Sequence, residues 1–420
     1  TSAVSYSVEE QAAETARLYT FLDEAYDATV MRSPIQQTFL GIKTDYDKWD
    51  DVSDARAEEN MMIFRESVAV MRAEFNFDKL DRQGQLSFRL YENALAQAEA
   101  AFAFRGNSYV FNQMFGQQSA IPAFLINQHR VTSEADARAY IARLIGVRAY
   151  LGQHIANAQE RAAAGVRPPR FVYDFVISDA QNVITGYPFG RAAPATPSPL
   201  YADISAKIDA LAARGTISAE TATALKADAV KALTESVEPA YADLIAFITA
   251  DMANATDEDG VWKLPDGQAY YAERLSTQTT TQMTPAEIHD LGLREVARIH
   301  REMEAIMVQV GFEGSLQDFF SYMRTAPEFY YPNTEEGRAR YLAEATALID
   351  TMETRIPEMF GVFPKAALEV KAVEAFREKS AGKAFYQRPA PDGSRPGIYY
   401  ANLYDMNSMP TYQMEALAYH

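Results

Sequence analysis

The residues with the clearest chemical potential lie between Ala384 and His420, where the chain reads A-F-Y-Q-R-P-A-P-D-G-S-R-P-G-I-Y-Y-A-N-L-Y-D-M-N-S-M-P-T-Y-Q-M-E-A-L-A-Y-H. Strand alternation places Ile398, Tyr400 and Asn402 on one face and Tyr399, Ala401 and Leu403 on the other. The tyrosines suit a strand, and Pro396-Gly397 marks its start. Ser408 or Thr411 can cap the helix that follows, and Pro410 is tolerated near its first turn. Met414 and Leu417 fall three apart, so His420 continues their face. No capping Gly and no last-turn Lys or Arg follows, and the expectation is a helix cut short, with the partners of His420 outside the sequence.

Other candidates carry less. Asn112 and Gln113 sit in F-N-Q-M-F-G at 111–116. They either line a cleft or are satisfied amides of a buried turn. Asp45, Asp47, Asp50 and Asp51 suggest calcium, but no Gly stands at the turn and no Glu closes the loop, so a solvated loop is expected. His289 and His300 are eleven apart, about 16 Å along one helix, and cannot share a metal. Glu295 stands out on an otherwise apolar side of that helix.

The stretch G-S-R-P-G-I-Y-Y-A-N-L followed by P-T-Y-Q-M-E-A-L-A-Y-H resembles the approach to the zinc helix of a bacterial family, domain of unknown function 885. G-V-W-K-L-P-D-G-Q-A-Y-Y at 260–271, T-P-A-E-I-H-D-L-G-L-R-E-V-A-R-I at 284–299 and F-N-Q-M-F-G at 111–116 are similar to it as well. The family in turn resembles zinc metallopeptidases of the HExxH type. There two histidines four apart on one helix bind zinc, and the intervening Glu handles protons. The resemblance implies a zinc-dependent peptidase acting on short peptides, in which His420 is the first zinc ligand. The general base and the remaining ligands are then not in this chain. It further implies Arg395, Tyr399, Tyr400 and Asn402, with Asn112 and Gln113, as substrate contacts. Tyr399 to Asn402 is expected as a sheet edge that pairs with the substrate backbone; a plain structural hairpin is the alternative. Members often carry export or lipoprotein signals, which points to the cell envelope, periplasmic or lipid-anchored.

Composition narrows the classes. The formal net charge is −18, and no basic cluster offsets it, so nucleic acid is excluded as a partner. The chain has no cysteine, which removes disulfides, thiol catalysis and cysteine-based metal sites. No apolar run approaches the roughly 18 residues of a membrane helix. The start, T-S-A-V-S-Y-S-V-E-E, reads as a trimmed terminus.

The elements that must position these residues are mainly helical. Helices are expected over 8–31, 53–76, 81–103, 134–164, 170–184, 202–213, 218–252, 284–310, 315–325 and 335–355. Pro239 breaks the seventh of these and begins a new helix after Glu238. Buried stripes are read at Ala12, Ala16, Tyr19, Leu22 and Tyr26; at Leu86, Leu90, Ala94 and Ala98; at Tyr140, Leu144, Val147, Tyr150, Leu151 and Ile155; and at Ile288, Leu291, Ile299, Met303, Ile306 and Val310. Strands are expected around 261–264, at 367–373 and twice in 384–403. The domain reading is an N-terminal helical lobe at 1–185, a Pro/Gly-rich linker or hinge at 186–201, and a second helical part with a small mixed sheet at 202–420. The fold class is mainly α, with the two-lobed, deep-clefted architecture of oligopeptidases implied by the resemblance. The alternative function is a non-catalytic helical module of the cell envelope that binds peptides or a partner protein.

Overall fold

The computed structural model describes residues 6–190 and 196–420. The terminal T-S-A-V-S and the centre of the expected linker, 191–195, lie outside the described residues. Two compact units make up the chain, Thr1–Gln278 and Thr279–His420.

Unit 1 is helical: α1 (Val8–Val30), α2 (Pro34–Phe39), α3 (Asp54–Glu74), α4 (Arg82–Phe102), α5 (Gln117–Asn127), α6 (Glu134–Ala163), α7 (Arg170–Val183), α8 (Pro199–Ala213), α9 (Ala219–Ala232), α10 (Glu238–Asp251) and α11 (Gly267–Thr279), which ends at the boundary. Local chemistry sets the starts. Ser7 with Glu10, and Ser133 with Asp136, close capping boxes that satisfy otherwise orphaned amides of α1 and α6. A single π-helical turn, Leu233–Val237, joins α9 to α10 and absorbs the break at Pro239.

The expected stripe on α6 is the core. Tyr140, Leu144, Val147 and Leu151 are fully or almost fully buried against α8, α9 and α10, which contribute Ile204, Ile208, Leu225, Tyr241 and Leu244. The 202–278 region therefore packs with the first 185 residues, and the unit boundary lies at 278/279, not at the Pro/Gly-rich 186–201 segment. Apolar faces of α8–α10 need a partner, and α6 and α7 supply it. Two other stripes are rotated from expectation. On α4, Phe88 and Leu95 are buried, and Leu86 and Leu90 are exposed. On α1, Leu18 is buried, whereas Tyr26 is exposed. These helices have wide apolar bands, and the neighbours α3, Phe75 and Leu80 choose the sector. Val261–Lys263 is a 3₁₀ turn, not a strand, and Trp262 points to solvent at 70% exposure.

Unit 2 contains α12 (Pro285–Gln309), α13 (Leu316–Thr325), α14 (Glu335–Met359), β1 (Leu368–Ala372), β2 (Ala384–Gln387), β3 (Gly397–Ala401) and α15 (Met414–Tyr419). The T-P-A-E box starts α12 as expected: Thr284 accepts from Glu287 N, and Glu287 accepts in return. The stripe expected to be buried on α12 is not: Leu291, Ile299, Ile306 and Val310 are exposed, and Met307 is the buried residue. His289 and His300 lie on this helix, and the His300 ring meets Phe320 of α13 edge-on at 6.3 Å. Glu295 pairs with Arg298 at 2.9 Å.

The sheet order is β1-β3-β2, with β1 parallel and β2 antiparallel to β3. Pairings Val370↔Tyr399 and Tyr386↔Tyr399 put these side chains on one face, with Leu368, Gly397, Ala401 and Ala384. The first half of α14, through Tyr341, Ala345 and Ile349, packs on that face beside Leu403, Met406, Met409 and Met414. The opposite face buries Ile398, Tyr400 and Val373 with Phe385.

Candidate functional site

A cavity in unit 2 lies between the second half of α14, the sheet and the end of α15. It encloses about 1040 Å³. Met352, Glu353, Ile356 and Pro357 of α14 form one wall. Leu368, Ala384, Tyr386, Gly397 and Tyr399 form the floor. Phe363 to Ala367, leading into β1, and Leu417 to His420 at the end of α15 complete it. The volume is at the top of the range of ligand pockets, and the lining is mostly apolar with a few polar groups, as such pockets are. Gly397 keeps the floor open: a Cβ there would meet the Tyr386 hydroxyl at 3.1 Å and Leu368 Cδ1 at 3.2 Å.

The sequence-derived candidates divide. Tyr399 and His420 line this cavity. Burial pushes the Tyr399 phenol up, while the neighbouring Tyr341 hydroxyl opposes the shift. His420 is exposed, and its amide donates to the Ala416 carbonyl at 3.1 Å, so it closes the last turn of α15. Tyr400 faces the other side of the sheet, donates to Glu374 Oε1 at 3.0 Å and stacks on Phe385 at 4.8 Å. Asn402 donates through Nδ2 to the carbonyls of Glu378 at 2.6 Å and Ala381 at 2.9 Å. Arg395 is buried and donates through Nη1 to the Arg388 carbonyl at 2.8 Å. Asn112 and Gln113 belong to unit 1; Asn112 Oδ1 accepts from the amides of Met114 and Phe115 at 3.0 and 2.8 Å, the geometry of a side-chain-closed turn.

Tyr399 to Asn402 is not a sheet edge. Strand β3 is central, so its backbone groups are committed to β1 on one side and β2 on the other. The edges are β1 and β2: β1 pairs parallel with β3, which requires a long crossover, here 373–396, and not a tight hairpin.

The model for bacterial proteins of unknown function, DUF885, matches residues 34–420. The chain belongs to this family. Its fold is similar to that of a candidate lipoprotein from Colwellia psychrerythraea, with TM-score 0.82 and 22% identity over 97% of this chain and 70% of that one. A candidate lipoprotein of unknown function from Shewanella oneidensis is similar at TM-score 0.54 and 14% identity, over 95% of this chain and 66% of that one. At these identities the likeness concerns the fold. A comparison with curated proteins finds no match. No helix among the described residues is long and apolar enough to cross a membrane.

The described residues of this DUF885 chain do not assemble a catalytic zinc site. Among the described residues no three His, Cys, Asp or Glu side chains converge as a metal site. His420 stands at the groove rim as a single donor, and a catalytic zinc needs three. Sequence reasoning missed the groove itself, and with it Glu353, Lys365, Phe363 and Tyr386. P-K-A-A-L before β1 carried a faint signal, a lysine just ahead of a strand, but only the fold brings this segment, α14 and the sheet around one cavity.

Unit 1 holds a separate buried polar cluster. Arg143, fully buried on α6, donates to the Lys48 carbonyl at 3.0 Å, Thr38 Oγ1 at 2.7 Å and His129 Nδ1 at 3.0 Å. A guanidinium only donates and a carbonyl only accepts, so His129 is the neutral Nε2–H tautomer, giving its proton to the Asp136 carbonyl at 3.0 Å. Burial, then the Arg143 charge, depresses the His129 pKa to about 3. Asp136 is buried but held low by Lys43 and by the amide and hydroxyl of Thr132. All of these partners are internal, which makes the cluster a structural brace between α2, the 42–51 loop and α6.

Proposed function

We propose that the chain binds short peptides in the unit 2 groove and serves a peptidase-type protein of the cell envelope. The observation that carries this reading is the cavity of about 1040 Å³ bounded by one face of a small mixed sheet. Its apolar lining suits side chains, and the strand edges beside it suit an extended backbone. The envelope placement is supported by the lipoprotein descriptions of the two solved relatives. The hydrolytic part of the reading is supported by His420, which lines the same groove as Tyr399. No hydrolytic step is assigned to the described residues, since they do not assemble a metal site.

Calorimetric titration with a panel of apolar tripeptides tests this. Saturable binding is expected, weakened about tenfold or more by Met352→Arg, which places a charge on the apolar wall. A folded chain that binds none of the panel overturns the reading. Zinc titration addresses the hydrolytic part. The donor set predicts weak uptake, and sub-micromolar binding abolished by His420→Ala would restore a metal site to this chain.

A further inference from the structure

The groove lining is apolar apart from a few groups, and two of these are charges without a counter-ion. Glu353 on the α14 wall and Lys365 on the segment entering β1 both line the cavity. Neither makes an ion pair or hydrogen bond with any described residue, nor with the other. Charges nearby on the same elements behave differently. Arg355 pairs with Glu358 at 3.2 Å, and Lys371 pairs with Glu369 at 2.6 Å.

We infer that the groove selects peptides with both termini free, taking the α-ammonium at Glu353, the α-carboxylate at Lys365, and bulky apolar side chains against Met352, Ile356 and Leu368. This inference rests on the peptide-binding reading above and names its ligand more narrowly. One unpaired charge of each sign on an apolar surface is complementary to a short zwitterion with an apolar body. An internal segment of a longer polypeptide brings no charge from its backbone, and a fatty acid brings a carboxylate but leaves Glu353 unmatched. Charge-assisted hydrogen bonds at the two ends fix length and direction, while the apolar contacts are tolerant of sequence.

The test is titration of trileucine in four forms: free, N-acetylated, C-amidated and doubly capped. The free form is expected to bind best, and each cap to weaken binding about tenfold. Lys365→Met should remove the response to amidation and keep the response to acetylation. Glu353→Gln should do the reverse. Both side chains are exposed, so both variants should keep the native circular dichroism spectrum. Equal affinity of all four forms overturns the terminal selection and leaves peptide binding standing. Cap-sensitive binding that neither variant alters overturns the assignment of these two residues. Absence of binding by every form overturns the peptide reading as well.

Discussion

Two buried imidazoles give unit 1 a defined response to acid. His129 is depressed to about 3 by burial and by Arg143, and His154 to about 4 by burial and by Arg161. In the unfolded chain both titrate near 6.5. The unfolded state therefore binds more protons as the pH falls below about 6.5, and the folded state loses stability from there down to about pH 4 for His154 and about pH 3 for His129. His154 alone should cost on the order of 2 kcal/mol at pH 5 relative to pH 7. Urea midpoints measured at the two pH values should show the combined change, and His154→Gln should remove about half of it, the His129 share remaining; an unchanged difference would exclude the His154 imidazole as a source. In the groove, Gly397→Val should close the floor against Tyr386 and Leu368 and remove tripeptide binding while unit 1 unfolds as before. Of the sequence-derived candidates, Tyr399 and His420 line the cavity, whereas Tyr400, Asn402 and Arg395 make bonds that only their folded neighbours reveal.

Helix boundaries follow local chemistry, and their cost is correspondingly local. Removing the Thr284 cap by Thr284→Ala should cost about 1 kcal/mol, read as a lower unfolding midpoint for unit 2. Truncating the α6 stripe is more severe. Leu144 is fully buried, and Leu144→Ala should cost about 3 kcal/mol through the lost burial and the void left behind. The α6 stripe was readable because its apolar residues recur on one face and that face is the centre of unit 1. On α4 and α12 the apolar band is broader than the covered sector. Periodicity then fixes the helix but leaves several rotations equally consistent with it, and packing picks one.

The molecule as a whole carries a net charge of −18, with an isoelectric point near 4.8. Repulsion keeps it dispersed at neutral pH and vanishes near the isoelectric point. Light scattering should therefore peak near pH 4.8, inside the window where buried imidazoles already weaken unit 1; a scattering maximum near neutrality would count against this charge balance.

Composition, caps and breaks are properties of a residue and its near neighbours along the chain. From them came the mainly helical class, the start of nearly every long helix, the position of β1 and the pair of strands after Ala384. The unit boundary, the central place of β3 and the groove are properties of residues far apart in sequence. Strand β1 precedes β3 by more than twenty positions, and no local pattern states that the later strand will lie between β1 and β2. Nor does any stretch of sequence state that α14, the segment entering β1 and the sheet will meet around one cavity, and that meeting is what brings Glu353, Lys365 and Tyr399 together.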